Sequence, residues 1–98
     1  MRKEPLTWKL VRFPESVDRW VERESPGDDI RVLVLDWIIG KSEDPYQGMR
    51  RAEGFENLWF GPISGTHLGW SVVTCSYWIY ETTRIVRCND ICTLDQPV

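Results

Sequence analysis

The sequence predicts a single α+β domain in which a two-helix hairpin packs on one face of an antiparallel sheet of about four strands. Three observations lead to this prediction. A short strand pattern opens the chain, two helix-period segments follow between residues 15 and 41, and from residue 55 the apolar residues recur with a period of two. Ninety-eight residues are too few for two cores. We therefore treat residues 1–98 as one two-layered domain.

The first strand is predicted over Leu6–Phe13, where apolar and polar residues alternate. Pro14 ends this strand and suits the first turn of a helix. Apolar residues at helical spacing then predict a short amphipathic helix over residues 15–24, with Val17, Trp20 and Val21 on its inner face.

The second helix is predicted to start at Asp28 and Asp29, which suit an N-cap, and to end at Gly40, which fits a C-cap. Two apolar stripes run along it. We therefore expect this helix to be buried over most of its circumference. The connection between the helices is three residues long, so they should pack antiparallel. The stripes are Ile30, Leu33, Val34, Trp37 and Ile38, and beside them Val32, Leu35 and Ile39.

Four segments of the C-terminal half read as strands. Trp70–Tyr80 is the clearest, because Val73, Cys75, Tyr77 and Ile79 recur at every second residue and form one apolar face. Phe55–Ile63 precedes it, Arg84–Asp90 should form an antiparallel hairpin with it, and Ile91–Val98 adds a short edge strand. Helices on one face of this sheet would leave its other face open.

Charge, cysteine count and the length of apolar runs exclude several classes of protein. The net charge of −3 argues against a protein that binds nucleic acid by long-range attraction, so any such role needs a local basic patch. The odd set of Cys75, Cys88 and Cys92, without an export signal, predicts free thiols in a reducing compartment. The longest apolar run, Val32–Leu35, is too short to span a bilayer. We expect a cytoplasmic protein without a metal site or other cofactor.

A turn followed by charged residues marks the junction between the helices and the sheet. The stretch resembles the RelE/ParE toxin superfamily, and within it the YoeB branch of ribosome-dependent mRNA interferases. The matching residues are Asp44-Pro45-Tyr46-Gln47-Gly48, Arg50-Arg51-Ala52-Glu53, Trp59 and Thr66-His67.

The resemblance implies the toxin of a bacterial type II toxin–antitoxin pair, with a cognate antitoxin as partner and ribosome-bound mRNA as substrate. The RNA 2′-hydroxyl attacks the adjacent phosphate, which requires a base, an acid and cations over the developing charge. Glu53 falls on the presumed general base, and Arg50 and Arg51 fall on the basic residues before it. His67 matches a histidine in a turn and is a second candidate for acid–base work.

Several positions depart from the family pattern. Leu68 replaces an arginine after the histidine, Gly61 and Pro62 replace two arginines after the tryptophan, and Ile91-Cys92 replaces a His-Tyr pair. These departures leave open an alternative, a non-catalytic binding module on the same fold. Such a module would be a ParE-like inhibitor or a degenerate toxin.

Further candidates come from the strands themselves. Arg84 and Arg87 are three residues apart and should point to opposite faces, and we expect Arg87 on the open one. Trp70 and Trp78 share one face of their strand, where they could stack on RNA bases. The favoured alternative is that they fill a second core or the interface of a homodimer, which would suit a small structural protein. Glu53 and the neighbouring arginines could also be solvated, mutually paired surface charges.

Overall fold

The computed structural model describes residues 7–95, which form a five-stranded sheet with two helices on one face. The strand order is β1-β5-β4-β3-β2. β1 pairs parallel with β5, and the other pairs are antiparallel. This confirms the α+β prediction, with one more strand than the four expected. The prediction that the sheet is antiparallel holds for β2 to β5 and is wrong for β1, which makes the sheet mixed. The elements are β1 (Lys9–Val11), α1 (Phe13–Glu24), α2 (Asp28–Gly40), β2 (Arg50–Arg51), β3 (Leu58–Pro62), β4 (Ser71–Tyr80) and β5 (Ile85–Asp95).

The start of the chain is more compact than its pattern predicts. β1 covers only three residues of the predicted strand, whose first residue, Leu6, lies outside the described residues. Arg12 then takes a left-handed conformation (φ 68°), which turns the chain into α1 at once. Pro14 lies in the first turn of α1, where its missing N–H costs nothing. Phe13 and Trp20 anchor α1 in the core.

The prediction that α2 is buried over most of its circumference is wrong. Val34 and Ile38 are its buried residues, while Val32 is 57% exposed and Ile39 is 67% exposed. The helix lies at the outside of the layer, so one line of side chains faces the core. Its second apolar stripe is left facing solvent in the described part of the chain.

The caps of α2 also differ from the prediction. Gly27 is the N-cap residue, so Asp28 is already helical. Gly40 is the last helical residue and Lys41 is the C-cap in a right-handed conformation. The Lys41 N–H donates to the carbonyls of Ile38 and Ile39, and this tightened turn needs no left-handed glycine. No helix in residues 7–95 is long and apolar enough to cross a membrane.

The two strands predicted at Arg84–Asp90 and Ile91–Val98 form one strand as far as the described residues extend. This strand, β5, lies between β1 and β4 rather than at an edge. The register with β4 shifts between Ser76 and Tyr77, where β5 carries an extra residue, Asn89. Cys88 therefore faces the core beside Tyr77, whereas Cys92, four residues later, pairs with Thr74 on the other face.

Both helices pack on one face of the sheet. Within residues 7–95 no helix covers the opposite face, which we call the open face. The shared core contains Phe13, Trp20, Val34, Ile38, Val73, Cys75, Tyr77, Ile79, Val86, Cys88 and Ile91.

Candidate nucleic-acid interface

The turn at residues 44–48 is built as an anchor for the chain before β2. The Asp44 carboxylate accepts the backbone N–H of Tyr46 at 3.1 Å, and Gly48 takes a positive φ of 75°. Pro45 is fully buried, and its carbonyl accepts a hydrogen bond from the Tyr77 hydroxyl. The motif that carries the resemblance therefore has a structural role here, because it ties the helix layer to β4.

Tyr46 extends this anchor into an aromatic cluster. Its ring meets Trp59 edge-on at 4.9 Å between ring centroids and Trp8 at 5.9 Å. Its hydroxyl donates to the carboxylate of Glu81. Burial and this carboxylate raise the pKa of Tyr46 to about 12, so the phenol stays protonated near neutral pH.

The anchor explains one departure from the family pattern. A Cβ atom placed on Gly61 would lie 2.7 Å from the Gly48 carbonyl oxygen and 2.8 Å from the Met49 sulfur. The 48–49 segment crosses β3 too closely for any side chain at residue 61. An arginine at this position is therefore incompatible with the path of the turn.

β2 places its two arginines on opposite faces of the sheet. Arg50 pairs with Phe60, whose side chain lies on the open face, and Arg51 pairs with Trp59, which packs against the core. Both arginines are exposed. The Arg50 side chain therefore points to the open face and the Arg51 side chain to the other face. The two guanidinium groups cannot bind one phosphate from the same surface.

Glu53 lies in the turn between β2 and β3. The turn is closed by hydrogen bonds from Ala52 N–H to the Leu58 carbonyl and from Phe55 N–H to the Ala52 carbonyl. Glu53 is exposed, and no ion pair joins it to an arginine within residues 7–95. The Phe55 ring contacts the Trp78 ring edge-on at 5.9 Å. Glu53 is therefore at the end of the sheet where Trp78 emerges.

Arg87 lies on the open face directly opposite Trp78 in the register of β4 and β5. Its guanidinium carbon is 5.8 Å from the centre of the Tyr80 ring. Arg84 is elsewhere, in the β4–β5 turn, where it stacks over Trp8 at 4.1 Å. We call the resulting surface the aromatic face; it comprises Phe55, Phe60, Trp78 and Tyr80 with Arg50 and Arg87.

Sequence reasoning missed three members of the aromatic face, namely Phe55, Phe60 and Tyr80. Alternation along β4 does place Tyr80 on the same side as Trp78. Phe60 joins them because β3 pairs Phe60 with Ser76 and Leu58 with Trp78. That register is a tertiary property, and no local signal encodes it.

His67 and Trp70 lie at the other end of the sheet. Leu68 forms a bridge with Ser71, the first residue of β4, and Trp78 lies seven positions further along β4. The rise of a strand makes this separation roughly 23 Å. The structure therefore does not bring His67 together with Glu53. Trp70 is 64% exposed in the turn before β4, at the opposite end of that strand from Trp78, so the two rings do not form one platform.

One buried cation lies on the helix side of the sheet. Lys41 is 6% exposed, its Nζ donates to the Gln47 carbonyl, and it lies 4.6 Å from the centre of the Trp37 ring. Burial lowers the pKa of Lys41, and the nearby Asp44 carboxylate opposes this effect. Within residues 7–95 no three His, Cys, Asp or Glu side chains are arranged to hold a metal ion.

Comparison with known proteins supports the architecture. No protein-family model matches the chain, and no curated protein matches it. Among solved structures, the E. coli toxin RelE, a mutant with two arginines replaced by alanine in the free state, is similar with a TM-score of 0.59. The match covers 87% of this chain and 81% of that chain at 10% identity. The chain therefore has the fold of the RelE toxin.

Proposed function

We propose that this chain is the toxin of a bacterial type II toxin–antitoxin pair and that it cleaves mRNA on the ribosome. The observation that carries the proposal is the aromatic face, which lies on the open side of a RelE-like sheet and has an arginine at each of two places along it. A cytoplasmic site of action and a cognate antitoxin follow from the same proposal.

The aromatic face suits a single-stranded RNA. Phe55 and Phe60 are exposed on it, and Trp78 and Tyr80 are half-buried. Accessible rings on a sheet stack on unpaired bases at about 1–3 kcal/mol per base without requiring a particular sequence. Arg50 and Arg87 provide guanidinium groups for phosphate oxygens on the same face. These local cations serve a chain whose net charge is −3, so RNA binding would depend on contact more than on long-range attraction.

The cleavage step assigns the base to Glu53. Its carboxylate takes the proton of the RNA 2′-hydroxyl, and the 2′-oxygen attacks the adjacent phosphorus. The bond from phosphorus to the 5′-oxygen breaks, water protonates that oxygen, and a 2′,3′-cyclic phosphate remains. Arg87 stabilises charge on the reacting phosphate, and Arg50, three strands away, contacts a neighbouring phosphate of the same RNA. His67 is too distant to act on the same phosphate as Glu53.

Ribosome-dependent cleavage of a defined mRNA tests the proposal. We expect cut transcripts with the native chain and a loss of at least 100-fold in rate with Glu53→Gln, since a general base contributes about that factor. His67→Gln is the matched control and should cleave like the native chain. Intact transcripts with the native chain would end the enzyme assignment.

A non-catalytic binding module on the same fold is the second candidate. It is favoured by the exposed Glu53, which lacks an arginine partner in the described part of the chain, and by Gly61, which excludes the family arginine. Toxicity on expression that an antitoxin reverses, without cleaved transcripts, would identify this alternative.

A further inference from the structure

A cavity of about 450 Å³ lies where the C-terminal end of α2 meets the turn before β2. Lys41 lines it, although only 6% of this residue is exposed. A pocket of this volume is large enough for a small molecule. Gly40 and Gly48 also line it, and a Cβ built on either glycine would meet no other atom within 4 Å. We call this space the Lys41 cavity; it is bounded by Asp36, Trp37, Gly40, Lys41, Gln47 and Gly48.

The Lys41 amine has fewer partners than a buried ammonium group requires. Its Nζ donates one hydrogen bond, to the Gln47 carbonyl, and lies 4.6 Å from the centre of the Trp37 ring. In the part of the chain that the structure describes, no carboxylate oxygen lies within 4 Å of this nitrogen. An ammonium group has three N–H donors, and burying it without a counter-ion costs free energy. This cost disappears when the amine is uncharged.

The charges around the Lys41 cavity disfavour an anion as its occupant. Asp36, which is exposed, lines the cavity, and Asp44 is close enough to oppose the effect of burial on the pKa of Lys41. Lys41 is also the C-cap of α2, and the C-terminus of a helix repels negative charge. Burial nevertheless lowers the pKa of Lys41, so more of this amine is neutral and nucleophilic than that of an exposed lysine. A neutral electrophile is therefore a better match for the cavity than an anionic ligand.

We propose that Lys41 is a site of acylation and that the Lys41 cavity holds the acyl group, which a small neutral thioester supplies. The lone pair of the neutral amine attacks the thioester carbonyl carbon, the carbon–sulfur bond breaks, and the leaving thiolate takes one amine proton. The resulting amide carries no charge, and its N–H still donates to the Gln47 carbonyl. Acylation therefore removes the cost of the buried charge and keeps its hydrogen bond. This proposal does not rest on RNA cleavage, because the cavity lies on the helix side of the sheet, opposite the aromatic face.

Acetylation of the full chain by S-acetyl-N-acetylcysteamine, a small neutral thioester, tests the proposal. The chain has three lysines, Lys3, Lys9 and Lys41, and peptide mass spectrometry follows each of them separately. At about pH 8 we expect Lys41 to be acetylated at least about threefold faster than Lys9, which is exposed on β1, because the lowered pKa leaves more neutral amine. Unfolding the chain in urea should make the two rates equal. Acetyl phosphate, an anionic acetyl donor, should show a smaller preference for Lys41 because the nearby carboxylates repel it.

Two variants test the cavity and the charge separately. Gly40→Leu adds a side chain to the cavity wall at a helical residue, and it should slow acetylation of Lys41 by at least about threefold while leaving Lys9 unchanged. Asp44→Asn keeps a side-chain oxygen for the Tyr46 N–H but removes a charge that favours the ammonium form. This variant should therefore speed the acetylation of Lys41.

Three results would overturn the proposal. Acetylation of Lys9 at the same rate as Lys41, or faster, in the folded chain would show that the buried amine is not the reactive one. A Lys41 rate unchanged by Gly40→Leu would show that the acyl group does not enter the cavity. A preference for Lys41 that persists in urea would assign its reactivity to the local sequence instead of the fold.

Discussion

The close crossing of β3 by the turn before β2 predicts a large effect from adding one methyl group at Gly61. The substitution Gly61→Ala introduces a Cβ at 2.7 Å from the Gly48 carbonyl oxygen and 2.8 Å from the Met49 sulfur. Ordinary contacts begin near 3.4 Å. Gly61 is buried, and Met49 is 9% exposed, so neither the strand nor the sulfur has free space into which to move.

The size of the effect follows from these contacts. Overpacking a core costs about 1–3 kcal/mol, and one of the two contacts is with backbone, which yields least. The lower entropy of the unfolded alanine chain offsets about 0.5 kcal/mol. We therefore expect a loss of about 2 kcal/mol in the free energy of unfolding and a fall of about 8–16 °C in Tm.

The matched control is the same chemical change at Gly40, where a Cβ meets nothing within 4 Å. Because Gly40 is the last residue of α2, Gly40→Ala should raise the free energy of unfolding by about 0.5 kcal/mol. Urea unfolding followed by tryptophan fluorescence measures both variants. A loss below 0.5 kcal/mol for Gly61→Ala would show that the turn does not cross β3 as described.

Three further predictions concern the anchor, the buried cation and the aromatic face. Tyr77→Phe leaves the buried Pro45 carbonyl without its donor and should lower the free energy of unfolding by about 1–3 kcal/mol; an unchanged urea midpoint would contradict this. Burial lowers the pKa of Lys41 in the folded state, so between that pKa and about 10.4 the unfolded chain binds more protons than the folded chain. The free energy of unfolding of the native chain, compared with that of Lys41→Met, should therefore rise with pH through this window. If the free energies of unfolding of the two chains change in parallel with pH, the lowered pKa of Lys41 is not the cause. Trp78→Ala should weaken single-stranded RNA binding by roughly tenfold in a fluorescence titration, whereas Trp70→Ala, on the far end of the sheet, should not.

The resemblance in the sequence identified the correct architecture. The stretch from Asp44 to Gly48 was predicted as a turn between the helices and the sheet, and it is one. Pro45 and Tyr46 of this stretch are held against the sheet, because Tyr77 and Glu81 bind them from β4 and the turn after it. Sequence order does not show which distant side chain will meet a turn.

Local periodicity was sufficient to predict whether each element is a helix or a strand. Side-chain directions repeat every three to four residues in a helix and every two residues in a strand. These repeats depend only on neighbouring residues, and they predicted the positions of α1, α2, β3 and β4 to within a few residues. Nothing local determined that α2 would present one apolar stripe to solvent, because burial depends on where the helix lies relative to the sheet. The pairing of β3 with β4 and the extra residue at Asn89 likewise decided which side chains share the open face. Glu53 and His67 are only 14 residues apart in the sequence, which does not show that the length of β4 lies between them in the sheet.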